Sequence, residues 1–249
     1  MVQVTLVQID NYGPWTVTPE PRREADLQAL QAELYADLSR AFGSHGGTAF
    51  YNRFDNVVAV TDGTTEEDHR AIQRGIGNRY PVTVSMAVAS HERPRHAVER
   101  ATEMMQREGG AQDAARVEAL AYDGGVHGDV QVAHFDVEDV TTQYTDRVDA
   151  FEATLSVQSA YTELSRLMWR EHDSPTFFVG GDNYVSLTPG LAEQEFEGVL
   201  DAVEAATDVR LRVGVGESTS PERAGLSAKQ GLEHSRERGV AVEFVRSPA

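Results

Sequence analysis

The stretch "FFVGGDNYVSL", Phe177 to Leu187, reads as two short apolar strands joined at a tight tip. Gly180 and Gly181 precede a single carboxylate, Asp182, and Asn183 follows it. Gly, Asp and Asn are ordinary turn residues because they tolerate the backbone angles a hairpin needs. Taken alone, the stretch is a β-turn.

The chain supplies a reason to read more, because the stretch occurs twice. "FYNRFDNVVAV" (Phe50–Val60) matches it, with Asp55 over Asp182. "VTLVQIDNYG" (Val4–Gly13) matches "VQVAHFDVED" (Val130–Asp139), with Asp10 over Asp136, and "VSMAVAS" (Val84–Ser90) matches "LRVGVGE" (Leu211–Glu217). An offset of 126–127 residues holds through three apolar strands and a helix start. The expectation is two homologous domains, 1–122 and 123–249. The intervening "REGGAQDAARVEALAYDGGVHGD" (Arg107–Asp129) reads as a linker with a helical centre.

Each half follows one order. A β-branched strand comes first, then a helix with Leu27, Leu30, Leu34 and Leu38 on one face. Two strands flank the Asp-Asn tip. A second helix carries acidic residues in its first turn, where the helix dipole favours them. A fourth strand leads to a helix opening at Pro94, where a missing N–H costs nothing. The second half repeats this with a longer first helix, Asp146 to His172. The order βαββαβ predicts an α+β fold: two tandem ferredoxin-like, palm-like domains, each a mainly antiparallel four-stranded sheet with helices on one face.

In that topology the first strand and the hairpin are neighbours, so Asp10 and Asp55 emerge at one sheet edge, as do Asp136 and Asp182. Two carboxylates held close repel unless a cation lies between them. Mg²⁺ takes one or two carboxylates plus substrate phosphates. The surroundings suit phosphate. Amides of the turn Asn11, Tyr12 and Gly13 point to an anion site. Gly180 and Gly181 admit a ligand to the main chain, and Arg53 offers a guanidinium. Asn56 and Asn183 stand beside the tips as polar contacts. Tyr12 and Trp15 are candidates to stack on a base or to pack in the core. His134 is a proton-transfer candidate by location, although a packed histidine is the commoner occupant of such a position.

Composition excludes several classes. With no cysteine, disulfides, Cys-ligated zinc and thiol nucleophiles are impossible. A formal charge of −18 opposes nonspecific nucleic-acid binding, which needs a basic surface. Lys229 is the only lysine among 22 basic residues, an acidic, lysine-poor balance that suits strong salt. No apolar run reaches the length of a membrane span and no secretory leader is recognisable, so a cytoplasmic location is expected.

"QIDNYGPWTVTPEPRREADLQALQAELYADL" (Gln8–Leu38), "FYNRFDN" (Phe50–Asn56), "NRYPVTVSMAVAS" (Asn78–Ser90) and "FFVGGDN" resemble the archaeal GTP cyclohydrolase III family, also called GTP cyclohydrolase IIa. "HFDVEDVT" (His134–Thr141) and the "GGDN" tip also resemble diguanylate cyclases, with Asn183 where those carry a carboxylate. The resemblance implies hydrolytic opening of the GTP imidazole ring at C8 with the formyl group kept. It also implies loss of two phosphates, a product feeding riboflavin and deazaflavin synthesis, dependence on Mg²⁺, activation by K⁺ or another monovalent cation, and a homo-oligomer, dimer or tetramer. Asp10, Asp55, Asp136 and Asp182 would be the metal and catalytic residues. The absence of cysteine agrees, since other GTP cyclohydrolases use Cys-ligated zinc. A nucleotidyl cyclase and a noncatalytic GTP-binding module remain the alternatives.

Overall fold

Val2–Ile9 (β1) is an inner strand, buried on both faces along almost its whole length, and its run of Val, Leu and Ile is what such a position selects. The computed structural model describes residues 1–125, 128–138 and 149–246. The chain divides into two compact units, Met1–Glu92 with His96–Gly128, and Arg93–Arg95 with Asp129–Ala249.

In the first unit β1 is followed by a single-turn helix α1 (Tyr12–Val17), then α2 (Glu24–Gly43), β2 (Thr48–Arg53), β3 (Asn56–Val60), α3 (Glu66–Arg79), β4 (Val84–His91), α4 (Pro94–Arg107) and β5 (Leu120–Asp123). The sheet order is β2-β3-β1-β4-β5. β1 runs antiparallel to β3 and β4, and β5 adds parallel to β4. α2 starts with Glu24 and Asp26, ends near Arg40, and buries Leu27, Leu34, Leu38 and Phe42. α3 is closed at its start by a reciprocal Thr65–Asp68 capping box. Together α2 and α3 cover Val7, Ile9, Ala59 and Met86.

The second unit comprises β6 (Val130–Val137), α5 (Ala150–Glu171), β7 (Thr176–Gly180), β8 (Asn183–Thr188), α6 (Glu193–Thr207), β9 (Leu211–Ser218), α7 (Pro221–Arg238) and β10 (Val242–Arg246). Its order, β10-β9-β6-β8-β7, repeats the first sheet. The α+β plan of two tandem βαββαβ units therefore stands.

Four details differ from the sequence expectation. Each sheet has five strands, because β5 and β10 add a parallel edge. The linker centre is that strand, preceded by a loop, and not a helix. α5 opens at Ala150, while Asp146 lies outside the described residues. Helices also occupy both faces of the second sheet. Phe135, Val213 and Val215 meet α5 and α6 residues in the core. Gly214 and Gly216 alternate with them and point at α7, so closely that a Cβ on Gly214 would lie 2.1 Å from Ala228 O and Leu232 N. Only glycine lets two backbones approach this far.

The strand registers also correct the repeat. Gln8 pairs with Asn56, and Asp136 pairs with Asn183. The amide of Ile9 donates to Asp55 O (3.3 Å) and that of Val137 to Asp182 O (3.2 Å). The amide of Asp10 donates to Thr83 O (2.9 Å) and that of Glu138 to Arg210 O (2.8 Å). The hairpin tips thus correspond as expected, Asp55 to Asp182. In the first strand, however, Asp10 corresponds to Glu138, and Asp136 corresponds to Gln8. Matching the two aspartates in sequence slips the strand by two residues, which leaves every side chain on its original face and the apolar pattern intact.

Candidate functional site

The second unit brings its carboxylates together. Asp136 lies in β6 beside Asn183, whose neighbour Asp182 occupies the β7–β8 tip. Burial pushes the Asp136 carboxyl up, the Arg236 hydrogen bond pulls it down, and the Asp182 charge pushes it up again. Its donor among the described residues is Arg236 of α7, at 2.6 Å from Oδ2, and that guanidinium is 42% exposed. The close approach of α7 to β9 is what delivers this arginine. Asp182 is half-buried beside the exposed Gly181 and accepts from Asn183 Nδ2 at 2.8 Å. Asn183 Oδ1 faces His134 Nε2 at 3.0 Å, which places the imidazole proton on Nε2 if Asn183 is oriented by Asp182. Burial holds His134 below the usual histidine range, opposed by its Asn183 bond. His134 is thus part-buried and tied to the tip.

Gly180 (φ 106°) and Gly181 (φ 63°) adopt left-handed angles that only glycine takes at low cost, and open space adjoins them. Arg53 and Phe54 occupy the matching places in the first unit, and Phe54 is exposed. The backbone is therefore bare at one tip and covered at the other.

The first unit treats its residues differently. Asp10 is buried and accepts from Thr83 Oγ1 (2.8 Å), Ser85 Oγ (2.6 Å), Arg116 Nε (3.2 Å) and Glu118 N (2.9 Å). Asp55 is paired with Arg53 at 3.0 Å. Asn56 is buried and accepts from Gln8 Nε2 at 2.9 Å. Asn11 (φ 48°) caps α1, with its amide given to Ala111 O at 3.0 Å. Gln112 packs on Gly13. Tyr12 and Trp15 stack at 6.0 Å and pack against the core, with Gln31 on the Tyr12 hydroxyl and Arg22 3.9 Å above the Trp15 ring. The turn "NYGPW" is thus a short helix whose first amide is already engaged.

A cation test separates the halves. No group of three or more His, Asp or Glu among the described residues forms a metal cage. Mg²⁺ does not need one, since one or two carboxylates plus phosphates and waters suffice. Asp136 and Asp182 fit that donor set, with an exposed tip and a mutual repulsion that a cation relieves. Asp10 does not, because all its lone pairs are taken. Sequence reading missed Arg116, Glu138, Arg212 and Arg236. Glu138, held by Arg212 at 2.8 Å, sits in the visible acidic run "DVED". The arginines lie up to 106 residues from their partners, and no local pattern announces them.

The family model for GTP cyclohydrolase III matches residues 2–246. The chain belongs to the GTP cyclohydrolase III family. A GTP cyclohydrolase III of Natronomonas pharaonis is 48% identical, covering 98% of both chains. One from Halobacterium salinarum is 49% identical, covering 97% of this chain and 96% of its own. One from Methanothermobacter thermautotrophicus is 46% identical over 95% of each. Among solved structures, a GGDEF domain from Pseudomonas aeruginosa covers 48% of this chain and 84% of its own, at 14% identity and a TM-score of 0.41. No helix among the described residues of this GTP cyclohydrolase III family member is long and apolar enough to cross a membrane.

Proposed function

We propose that this chain hydrolyses GTP to 2-amino-5-formylamino-6-ribosylamino-4(3H)-pyrimidinone 5′-monophosphate, at a site built on Asp136 and Asp182. The observation that carries the site is the pairing of these carboxylates beside the bare Gly180–Gly181 backbone and the half-exposed Arg236, in a chain matched over its whole length by the family. One water adds at C8, the C8–N9 bond breaks, and the formyl group stays on N7. Two phosphates leave, each exchanged for a water.

Asp136 and Asp182 would hold Mg²⁺, which would supply neutralisation of phosphate charge and acidification of water. The chain's own groups do the rest. Gly180 and Gly181 let phosphate oxygens reach the backbone. Arg236 can turn from Asp136 to a phosphate oxygen, exchanging one anionic partner for another. Asn183 holds Asp182 in place and is itself held by His134. K⁺ would act as activator, and the enzyme would work as a homo-oligomer in a salt-rich cytoplasm, where the acidic surface stays hydrated.

The test is incubation with GTP, Mg²⁺ and molar KCl, followed by mass spectrometry and a free-phosphate assay. A ring-opened monophosphate with two phosphates per GTP supports the proposal. A cyclic product or a dinucleotide with pyrophosphate would make the chain a cyclase, and GTP lacking the 3′-hydroxyl would then not react. Unchanged GTP with a folded, nucleotide-bound protein would leave a binding module.

A further inference from the structure

The first unit carries a pair of histidines that no step of the proposed reaction uses. His91 ends β4, and His96 lies in the first turn of α4. Both are half-buried, and their ring centres stand 5.0 Å apart at a tilt of 49°. Two imidazoles on one tetrahedral zinc, at Zn–N distances of about 2.0–2.1 Å, hold their ring centres roughly 5 Å apart. The pair already has the spacing that a metal imposes.

The two rings open on a cavity of about 570 Å³, walled also by Glu99, Glu103, Asp123, Arg100 and Arg107. Arg100 is paired with Asp123, and Arg107 with Glu103 at 3.6 Å. Three carboxylates against two guanidiniums leave the wall acidic, which favours a cation over an anion. Among the described residues no third histidine or carboxylate joins the pair in a cage. The remaining coordination positions therefore fall to water, for which the cavity has ample room, since one water takes about 30 Å³.

The duplicated unit shows that the fold does not require these residues. By the strand registers and the matching helix starts at Pro94 and Pro221, His91 corresponds to Ser218 and His96 to Arg223. Glu99 and Glu103 correspond to Leu226 and Gln230, and Asp123 to Val245. The backbone recurs, but not one imidazole or carboxylate of the cluster recurs with it, and an arginine in the place of His96 would repel a cation.

We propose that His91 and His96 form a site for a transition-metal dication of the zinc, nickel or copper class, completed by water, that clips the first turn of α4 to the end of β4. Imidazole suits these metals, whereas carboxylate and water suit Mg²⁺. The inference does not rest on the proposed reaction, because the histidines belong to the first unit and Asp136 and Asp182 to the second. Metal that binds only the folded chain stabilises it in proportion to the logarithm of its concentration.

The experiment uses the full chain in molar KCl, stripped by a chelator and then kept in excess Mg²⁺ to fill the oxygen sites. Zn²⁺ uptake is measured by equilibrium dialysis, Cu²⁺ serves as the probe for electron paramagnetic resonance, and thermal unfolding is followed with and without Zn²⁺. Wild type is expected to hold about one Zn²⁺ per chain, to show the nitrogen hyperfine pattern of two imidazoles on Cu²⁺, and to unfold at a higher Tm with Zn²⁺. His91→Gln and His96→Gln should each weaken Zn²⁺ by at least the roughly tenfold that loss of a supporting residue costs a metal site. Each should also reduce the Cu²⁺ pattern to one imidazole, and the double variant should lose the Tm shift. His45→Gln, a change to a histidine beside Asp68, should leave all three readouts at wild type. Zn²⁺ affinity that is the same in wild type and in both variants overturns the inference, as does a wild type that takes up no Zn²⁺ or shows no paired imidazoles on Cu²⁺. If the variants do not fold, labelling of wild type with diethyl pyrocarbonate decides. Zn²⁺ should then protect His91 and His96 together, and modification of both at an unchanged rate overturns the inference.

Discussion

Asp10 and Asp136 look alike in sequence and are opposites in structure. Asp10 sits among four donors, one of them a buried guanidinium, a charge solved permanently by the fold. Asp136 has one half-exposed arginine, and burial, then a neighbouring carboxylate, push its pKa up, a charge left to be solved by a ligand. Duplication copied the backbone, since both sheets share one strand order and both tips one register. It did not copy the electrostatics. Where a buried carboxylate is fully paired, it stabilises; where it is left short of partners beside a bare backbone, it can bind.

The largest test of this contrast is catalytic. Asp182→Asn and Asp136→Asn should each lower kcat by about three orders of magnitude, the equivalent of several kcal/mol of lost metal-assisted stabilisation. Asp55→Asn, at the matching tip, should change kcat/KM by less than roughly fivefold, because an exposed ion pair such as Arg53–Asp55 is worth about 0–1 kcal/mol. Steady-state assays of the three variants check this. Equal losses at Asp55 and Asp182 would break the comparison.

The next test is of stability. Arg116→Gln leaves Asp10 buried without its counter-charge, which should cost about 3–5 kcal/mol of unfolding free energy. Arg236→Gln lets water reach Asp136 in place of a half-exposed guanidinium, and should cost only about 1 kcal/mol. Denaturant titration in fixed KCl measures both. Adding Asp10→Asn to Arg116→Gln should recover part of the loss, since the stranded charge is then gone too.

Much of this fold was legible in the chain. The apolar runs, the Leu27-to-Leu38 stripe and the repeated Asp-Asn tips each reflect local periodicity, and the strands and helices fell where those patterns lay. Three things were not legible, each for a physical reason. β5 is four half-buried residues, "LAYD", too short and too mixed to show alternation. The two-residue slip between the first strands keeps every side chain on its face, so the apolar pattern reads the same either way. The sealing of Asp10 depends on an arginine 106 residues away, a tertiary fact with no local trace. The site was therefore visible as a set of residue types, while which half could use it was not.

A third contrast lies behind the sheet. Gly214 and Gly216 have Ala87 and Ala89 as counterparts in β4, by the register of both sheets. Gly214→Ala would drive a methyl into the α7 backbone. It should cost about 1–3 kcal/mol or more and shift Arg236 away from Asp136. Ala87→Gly, the reciprocal change, should cost only about 0.5–1 kcal/mol, from the backbone entropy glycine adds. Calorimetry separates the two, and a harmless Gly214→Ala would mean that α7 does not stand where its contacts place it.

The smallest effect concerns pH, and each half carries its own histidine held down by burial. His69 of α3 is buried, its ring between Thr65 O (2.7 Å from Nδ1) and Thr5 Oγ1 (2.7 Å from Nε2). Its counterpart in α6, three residues into the helix, is Phe196, in the apolar core. Burial holds the His69 pKa down, the Thr65 carbonyl and Asp68 push it up, and His45 lowers it further. A base with a depressed folded pKa is stable when neutral. Its contribution is present above the unfolded pKa of about 6.5 and is lost as pH falls below that value, because the unfolded chain binds the proton first. One such group changes stability by at most about 1.4 kcal/mol per pH unit. Between pH 7 and 5.5, protection of β1 amides, corrected for intrinsic exchange, should fall on account of His69, and that of β6 amides on account of His134, which burial also holds below the usual histidine range. His69→Gln should remove the fall in β1 and leave that in β6, while lowering protection of β1 at every pH, since the glutamine cannot reproduce both bonds. A β1 response to pH that His69→Gln leaves unchanged would mean that the buried histidine does not set it.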